Sequence, residues 1–134
     1  MDIKFRVEEN NYSSASLPAM IQFHIVRRMA PIIGNLVILR NNLLRPEDIL
    51  VPLVEGLSKL SDADSEYILF HCLEVTQRET TGGGWGPVFN MISKRMMYED
   101  ITMITMLNIA YNVLEANLGD FIPSLPPPST EVTP

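Results

Sequence analysis

The fold turns on the stretch Ile101-Thr102-Met103-Ile104-Thr105-Met106-Leu107-Asn108-Ile109-Ala110-Tyr111-Asn112-Val113-Leu114-Glu115-Ala116-Asn117-Leu118. It contains a single charged residue, Glu115. Plotted at 100° per residue, Thr105, Asn108, Asn112 and Glu115 form a narrow polar stripe, and almost everything else is apolar. A helix that is apolar around most of its circumference must be buried on most sides. It is therefore either the central helix of the domain or is covered in part by another chain. Glu99-Asp100 is expected to open it and Gly119 to close it.

Working outward, Ser61-Asp62-Ala63-Asp64 reads as the start of another helix, with Ser61 or Asp62 as its cap. Ile68, Leu69, Cys72, Leu73, Val75 and Thr76 form its buried arc, and Glu74 and Arg78 are placed as an i,i+4 ion pair. Arg45-Pro46-Glu47-Asp48 opens a shorter helix with the stripe Ile49, Leu50, Leu53, Leu57 and Leu60. Pro52 and Gly56 weaken it. Ser16 and Pro18 open a first helix running to about Ile33, with Gly34 as its stop. Ala19, Phe23, Val26, Ala30 and Ile33 share its apolar sector, with Ile21, Ile25 and Met29 beside them. Pro31 is expected to kink it near residues 27–31.

Ile3-Lys4-Phe5-Arg6-Val7 alternates apolar and charged side chains, the period of a strand with one buried face. The turn-rich Glu8-Glu9-Asn10-Asn11 follows, so residues 2–16 are read as a hairpin. Four of the seven glycines crowd into residues 82–86, and Gly82-Gly83-Gly84-Trp85-Gly86-Pro87 is expected to break regular structure, with Trp85 tucked into a groove. Val88-Phe89 and Met96-Met97-Tyr98 offer two short strands around Ser93-Lys94. The expected fold class is mainly α: about four helices, an N-terminal hairpin and room for a second short hairpin near 87–98. The domain would span residues 1–122. Half of the ten prolines fall in residues 123–134, which read as a disordered Pro-rich tail.

The 134 residues are 46% hydrophobic and 19% charged, with a net charge of −6. That hydrophobic content excludes disorder of the whole chain. A duplex-binding protein normally carries a basic excess, so nucleic acid is not the expected partner. No apolar run reaches the ~18–20 residues of a membrane span; the longest, Leu17 to Leu39, is broken by polar residues, Pro31 and Gly34. The start Met1-Asp2-Ile3-Lys4-Phe5 lacks the form of a signal peptide. A soluble cytoplasmic chain without a membrane partner is expected.

No catalytic set emerges. His24 and His71 fall on different helices, and no metal-ligand spacing exists, so no metal or cofactor is expected. Cys72, the single cysteine, sits in an apolar stretch and reads as a core residue. No serine lies in a nucleophile elbow. The glycine run lacks the Gly-Lys-Ser/Thr of a phosphate loop. Asp62, Asp64 and Glu66 are explained by a helix start. Two features point instead to protein contacts. Arg27-Arg28 lies on the polar arc of the first helix, either solvated or facing acidic groups. The charge split favours an acidic counterpart, because residues 1–61 carry +1 and residues 62–134 carry −7. Five of eight methionines fall at Met91, Met96, Met97, Met103 and Met106. Flexible thioethers serve either as core filler or as an adaptable apolar surface. The candidate partner-binding residues are Arg27, Arg28, Met96, Met97, Met103 and Met106, and an over-apolar last helix favours a homo-oligomer.

Gln22-Phe23-His24-Ile25-Val26-Arg27-Arg28-Met29-Ala30-Pro31 after a hairpin, then Gly84-Trp85-Gly86-Pro87-Val88, Met96-Met97-Tyr98-Glu99-Asp100-Ile101 and Asn117-Leu118-Gly119-Asp120-Phe121, form an ordered series. It resembles the tail assembly chaperones of long-tailed bacteriophages and prophages, over roughly residues 3–121. The resemblance implies a non-enzymatic protein of the host bacterial cytoplasm. Such a protein binds the tape measure protein, keeps it soluble while the tail tube polymerises, and is absent from the mature virion. It also implies contact with the tail tube protein through a longer frameshifted form. The alternative is a small tail completion or connector protein retained in the virion; a small hydrolase or transferase is a third reading.

Overall fold

A computed structural model describes residues 2–34, 48 and 50–119. Its elements are β1 (Ile3–Val7), β2 (Asn10–Ser14), α1 (Ala19–Met29) with a 3-10 turn (Ala30–Ile32), α2 (Leu50–Leu57) and α3 (Asp62–Glu74). Then follow β3 (Thr76–Glu79), β4 (Trp85–Pro87), β5 (Phe89–Asn90), β6 (Arg95–Met96) and α4 (Met103–Leu118). The mainly-α expectation is overturned: the described residues form a mixed α/β fold. An antiparallel sheet in the order β1-β2-β3-β4 stands beside the four helices, and β5 pairs with β6.

The N-terminal hairpin pairs Ile3 with Ser14 and Val7 with Asn10. Its two-residue turn, Glu8-Glu9, puts Glu8 at φ 56°, a conformation that favours glycine. The Glu8 carboxylate accepts a hydrogen bond from Thr105 Oγ1 on α4 at 3.1 Å, fixing the turn to that helix. Phe5, Val7 and Tyr12 point inward, and the Phe5 and Tyr12 rings stack at 5.8 Å.

The third helix is shorter than its sequence indicates. Ser61 caps it through a bond from the Asp64 N–H at 3.1 Å, and Ile68, Cys72 and Leu73 are buried as expected. The helix ends at Glu74, and Thr76–Glu79 crosses over as an interior strand between β2 and β4. The Glu74–Arg78 helical pair therefore does not form. Thr76 fits this change, donating its hydroxyl proton to the Cys72 carbonyl at 2.8 Å.

The glycine run makes a hairpin turn rather than a break. Thr80 and Gly84 close it by a backbone bond at 2.7 Å, and Gly83 takes φ 88°. Trp85–Pro87 then pairs as an edge strand, where a proline without an N–H is tolerated. Trp85 lies on the outer face of the sheet opposite Glu79, still 36% exposed, so the expected tucked ring is corrected. Lys4 Nζ sits 5.6 Å from its ring centre.

Helix α1 starts at Ala19 with Pro18, not Ser16, in the cap position. The break expected at Pro31 appears as the 3-10 turn. The buried face is rotated from the expected one: Ile25, Met29 and Ile32 are interior, while Phe23 is 56% exposed. In α2, Leu53 is buried and Leu57 half-buried; the proposed start at Arg45-Pro46-Glu47 lies outside the described residues, as does the Pro-rich tail. Glu99-Asp100 does not open the last helix. Thr102 caps it, its Oγ1 accepting from the Thr105 N–H at 3.2 Å.

Helix α4 occupies the centre, packing against α3, α2 and β1. Thr105, Leu107, Asn108, Ile109, Ala110, Val113, Leu114 and Leu118 are all buried. Its asparagines are accommodated by bonding back one turn: Asn108 Nδ2 donates to the Ile104 carbonyl and Asn112 Nδ2 to that of Asn108. This satisfies polar groups that would be costly to bury unpaired.

Candidate partner-binding surfaces

The six candidate residues divide by exposure. Arg28 is committed to the fold. Its Nε meets Asp64 Oδ1 at 3.1 Å, its guanidinium lies 4.0 Å from the Tyr67 ring centre, and Nη1 donates to the His24 carbonyl at 3.2 Å. These contacts join α1 to α3, so the acidic counterpart of this arginine lies within the chain. Arg27 is exposed and approaches His24 Nδ1 at 3.4 Å. Among the methionines, Met97 is 51% and Met103 58% exposed, whereas Met96 and Met106 pack against the core. The arginines stand on α1 and the methionines on β6 and its flank and on the start of α4, so the two groups belong to different elements.

Sequence reasoning missed further apolar exposure. Met20 and Phe23 on α1 are 63% and 56% exposed, and Val51 and Val54 on α2 are 64% and 43% exposed. Ile92, at the tip of the β5–β6 hairpin, is 95% exposed. Phe23 borders a groove shared by Ala19, Val26 and Leu118, with the amides Gln22 and Asn117 at its margin. Asn117 also holds the entry to α1, its Oδ1 accepting from the Leu17 N–H at 2.9 Å. The signal for Phe23 was its place at the edge of an apolar sector wider than one neighbour can cover. Nothing in the sequence marks Ile92 as exposed.

The most elaborate polar contact ties the sheet to the segment leading into α4. Arg78 projects from β3 toward the interior and makes two bonds to Asp100, at 2.7 and 2.9 Å. Its guanidinium lies 4.5 Å from the Tyr98 ring centre. The bonded carboxylate raises the Arg78 pKa, and the bonds from Arg78 hold Asp100 below the usual carboxylate range. Tyr12, across the strand pair from Arg78, is fully buried; burial pushes its phenol pKa up. Burial likewise pushes the Cys72 thiol up, away from reactivity. Among the described residues, no group of His, Cys, Asp or Glu is arranged to hold a metal ion, and no helix is long and apolar enough to cross a membrane.

The surface thus combines an apolar groove, scattered methionines and a hairpin tip with an internally paired polar cluster. The family model for phage tail assembly chaperone proteins matches residues 8–128. The chain belongs to the phage tail assembly chaperone family. No curated protein and no solved structure matches it. Membership in this family gives the chain a role in tail assembly through protein partners.

Proposed function

We propose that this tail assembly chaperone holds the tape measure protein in the host cytoplasm, keeps it soluble, and leaves as tube subunits polymerise, without catalysis and without entering the virion. The observation that carries this is the groove of Ala19, Phe23, Val26 and Leu118. A long helical partner exposes an apolar stripe, and a shallow apolar groove with amide margins suits an amphipathic helix laid along it. Met20 on the same helix, with Met97 and Met103 elsewhere on the surface, adds adaptable apolar area. Arg27 offers a cation to an acidic partner, while Arg28, Met96 and Met106 serve through packing. A longer frameshifted form would bring the tail tube protein to the complex.

Co-expression with the tape measure protein tests the reading. The wild type should keep it soluble and co-purify with it. Phe23→Asp and Arg27→Glu should each lower the recovered complex severalfold while leaving the chaperone's own Tm within about 2 °C, because both side chains are exposed. Undiminished recovery with Phe23→Asp would remove the groove from the account, and failure of the wild type to solubilise the partner would remove the tape measure reading.

A further inference from the structure

The groove between α1 and the end of α4 specifies more of its occupant than an apolar stripe. Ala19, Gln22, Phe23 and Val26 form its α1 wall, and Asn117 and Leu118 close it from α4. Both amides are turned to the chain's own backbone. Gln22 Nε2 donates to the Leu17 carbonyl at 2.8 Å. Asn117 Oδ1 accepts from the Leu17 N–H at 2.9 Å, and its Nδ2 donates to the Val113 carbonyl at 2.8 Å. The walls are helical, so no strand edge offers main-chain partners. An extended segment laid here would bury backbone N–H and C=O groups with little to bond, which is costly. A helix arrives with those groups already bonded to one another.

Charge distinguishes the two ends of the α1 wall. Met20, Phe23 and Arg27 stand at i, i+3 and i+7, which places them along one side of the helix over about 10 Å at 1.5 Å per residue. All three are exposed, Met20 by 63% and Phe23 by 56%. Arg28 is held by Asp64, whereas Arg27 approaches His24 Nδ1 at 3.4 Å, and among the described residues no carboxylate pairs with it. No Lys or Arg occurs from Val7 to Val26. The ridge beside the groove is therefore apolar at its Met20 end and cationic at its Arg27 end.

We infer that the occupant is an amphipathic helix running parallel to α1, with an acidic residue one turn C-terminal to the apolar side chain seated against Phe23. The carboxylate then meets Arg27. Parallel running also brings the negative end of the docked helix toward that cation, whereas the antiparallel arrangement would bring the positive end. In the partner's sequence the segment reads as apolar at i and at i+3 or i+4, with Asp or Glu at i+7. This recognition rule rests on the reading that the groove receives the partner, and it adds direction and charge to that reading.

Labelled synthetic helical peptides provide the test, read by fluorescence anisotropy against the full chain. All carry the same leucine stripe. One has Glu one turn after the stripe, one has Glu one turn before it, one has Lys after it, and one has Glu after it with a proline in the middle. The first should bind more tightly than the second by roughly two- to fivefold, the yield of one exposed ion pair and a helix end. The Lys peptide should bind less tightly than the first, and Arg27→Glu should reverse the order of those two. The proline peptide, which cannot form an unbroken helix, should bind poorly. Phe23→Asp should abolish binding of all four with an unchanged far-UV spectrum, since the position is exposed. Binding that needs Phe23 but ignores the position of Glu would overturn the inference and leave the groove as the partner's seat. Equal binding of the proline peptide would overturn the helical occupant. No binding by any peptide, or binding untouched by Phe23→Asp, would overturn the inference and the groove reading together.

Discussion

Gly86 shows how tightly single positions are fixed. It lies on the inner side of the edge strand opposite Arg78, and a Cβ built there would stand 2.5 Å from Tyr98 Oη. The tyrosine cannot easily swing away, because its ring is held by the Arg78 guanidinium. Gly86→Ala should therefore cost about 1–3 kcal/mol, the usual range for forcing a packed group aside. Tyr98→Phe removes the clashing oxygen, so the double variant should be more stable than Gly86→Ala alone; equal melting of the two would refute the steric account. The same cluster sets a pH response. Asp100 has its pKa lowered in the fold, so its contribution to stability is present above the usual carboxylate value of about 3.9 and fades as pH falls through the lowered value. The Tm difference between wild type and Asp100→Asn should be present at pH 7 and shrink as pH falls below the usual carboxylate range. A gap that does not shrink at all on acidification would show that the charge is not what matters. Neither prediction was legible in the sequence, where Arg78 looked like the partner of Glu74 and Gly86 like one glycine in a flexible run.

At the scale of elements, legibility followed how local the determining forces are. The hairpin at 2–16, the Ser61 cap and the C-terminal end of the last helix were readable because alternation, capping and periodicity act over a few residues. β3 was not. Thr76-Gln77-Arg78-Glu79 has no apolar alternation, and its strand state is imposed by pairing on both sides and by Arg78 finding Asp100. The extended β4 was hidden by the same glycines that allow its tight turn. For α4 the sequence posed two options, a central helix or one completed by another chain, and the packing places most of it inside. Substitutions should reproduce that gradient. Ile109→Ala, at a fully buried position, should cost about 2–5 kcal/mol, whereas Met103→Ala, at a 58% exposed one, should cost under about 0.5 kcal/mol. Comparable losses at both in urea denaturation would contradict this arrangement. For the candidate residues the sequence offered types but not exposure: only the fold separates exposed Arg27 from the packed Arg28 and exposed Met97 from the packed Met96.

At the scale of the whole molecule, one helix connects what would otherwise be two weak halves. A small sheet with a solvated outer face is marginal without a covering layer, and the short α2, interrupted by Pro52 and Gly56, gains little from its own propensity. α4 packs on β1 on one side and on α2 and α3 on others, and Glu8 in the sheet's first turn is bonded to Thr105 within it. The buried cluster accordingly runs without a break from Val7 and Tyr12 of the sheet through Ile109 and Val113 to Ile25, Met29 and Leu53 of the other helices. Losing the sheet would expose one face of α4, and losing the helices would strip the inner face of the sheet, so neither part has a core of its own. The two should melt as one unit. Trp85 fluorescence reports the edge of the sheet, and far-UV circular dichroism reports mainly the helices, so their urea midpoints should coincide within error. The intermediate such a denaturation must not show is one in which Trp85 has reached its unfolded emission while the helical signal is intact. Its appearance would mean that the sheet is a detachable layer and that α4 is stabilised by α2 and α3 alone.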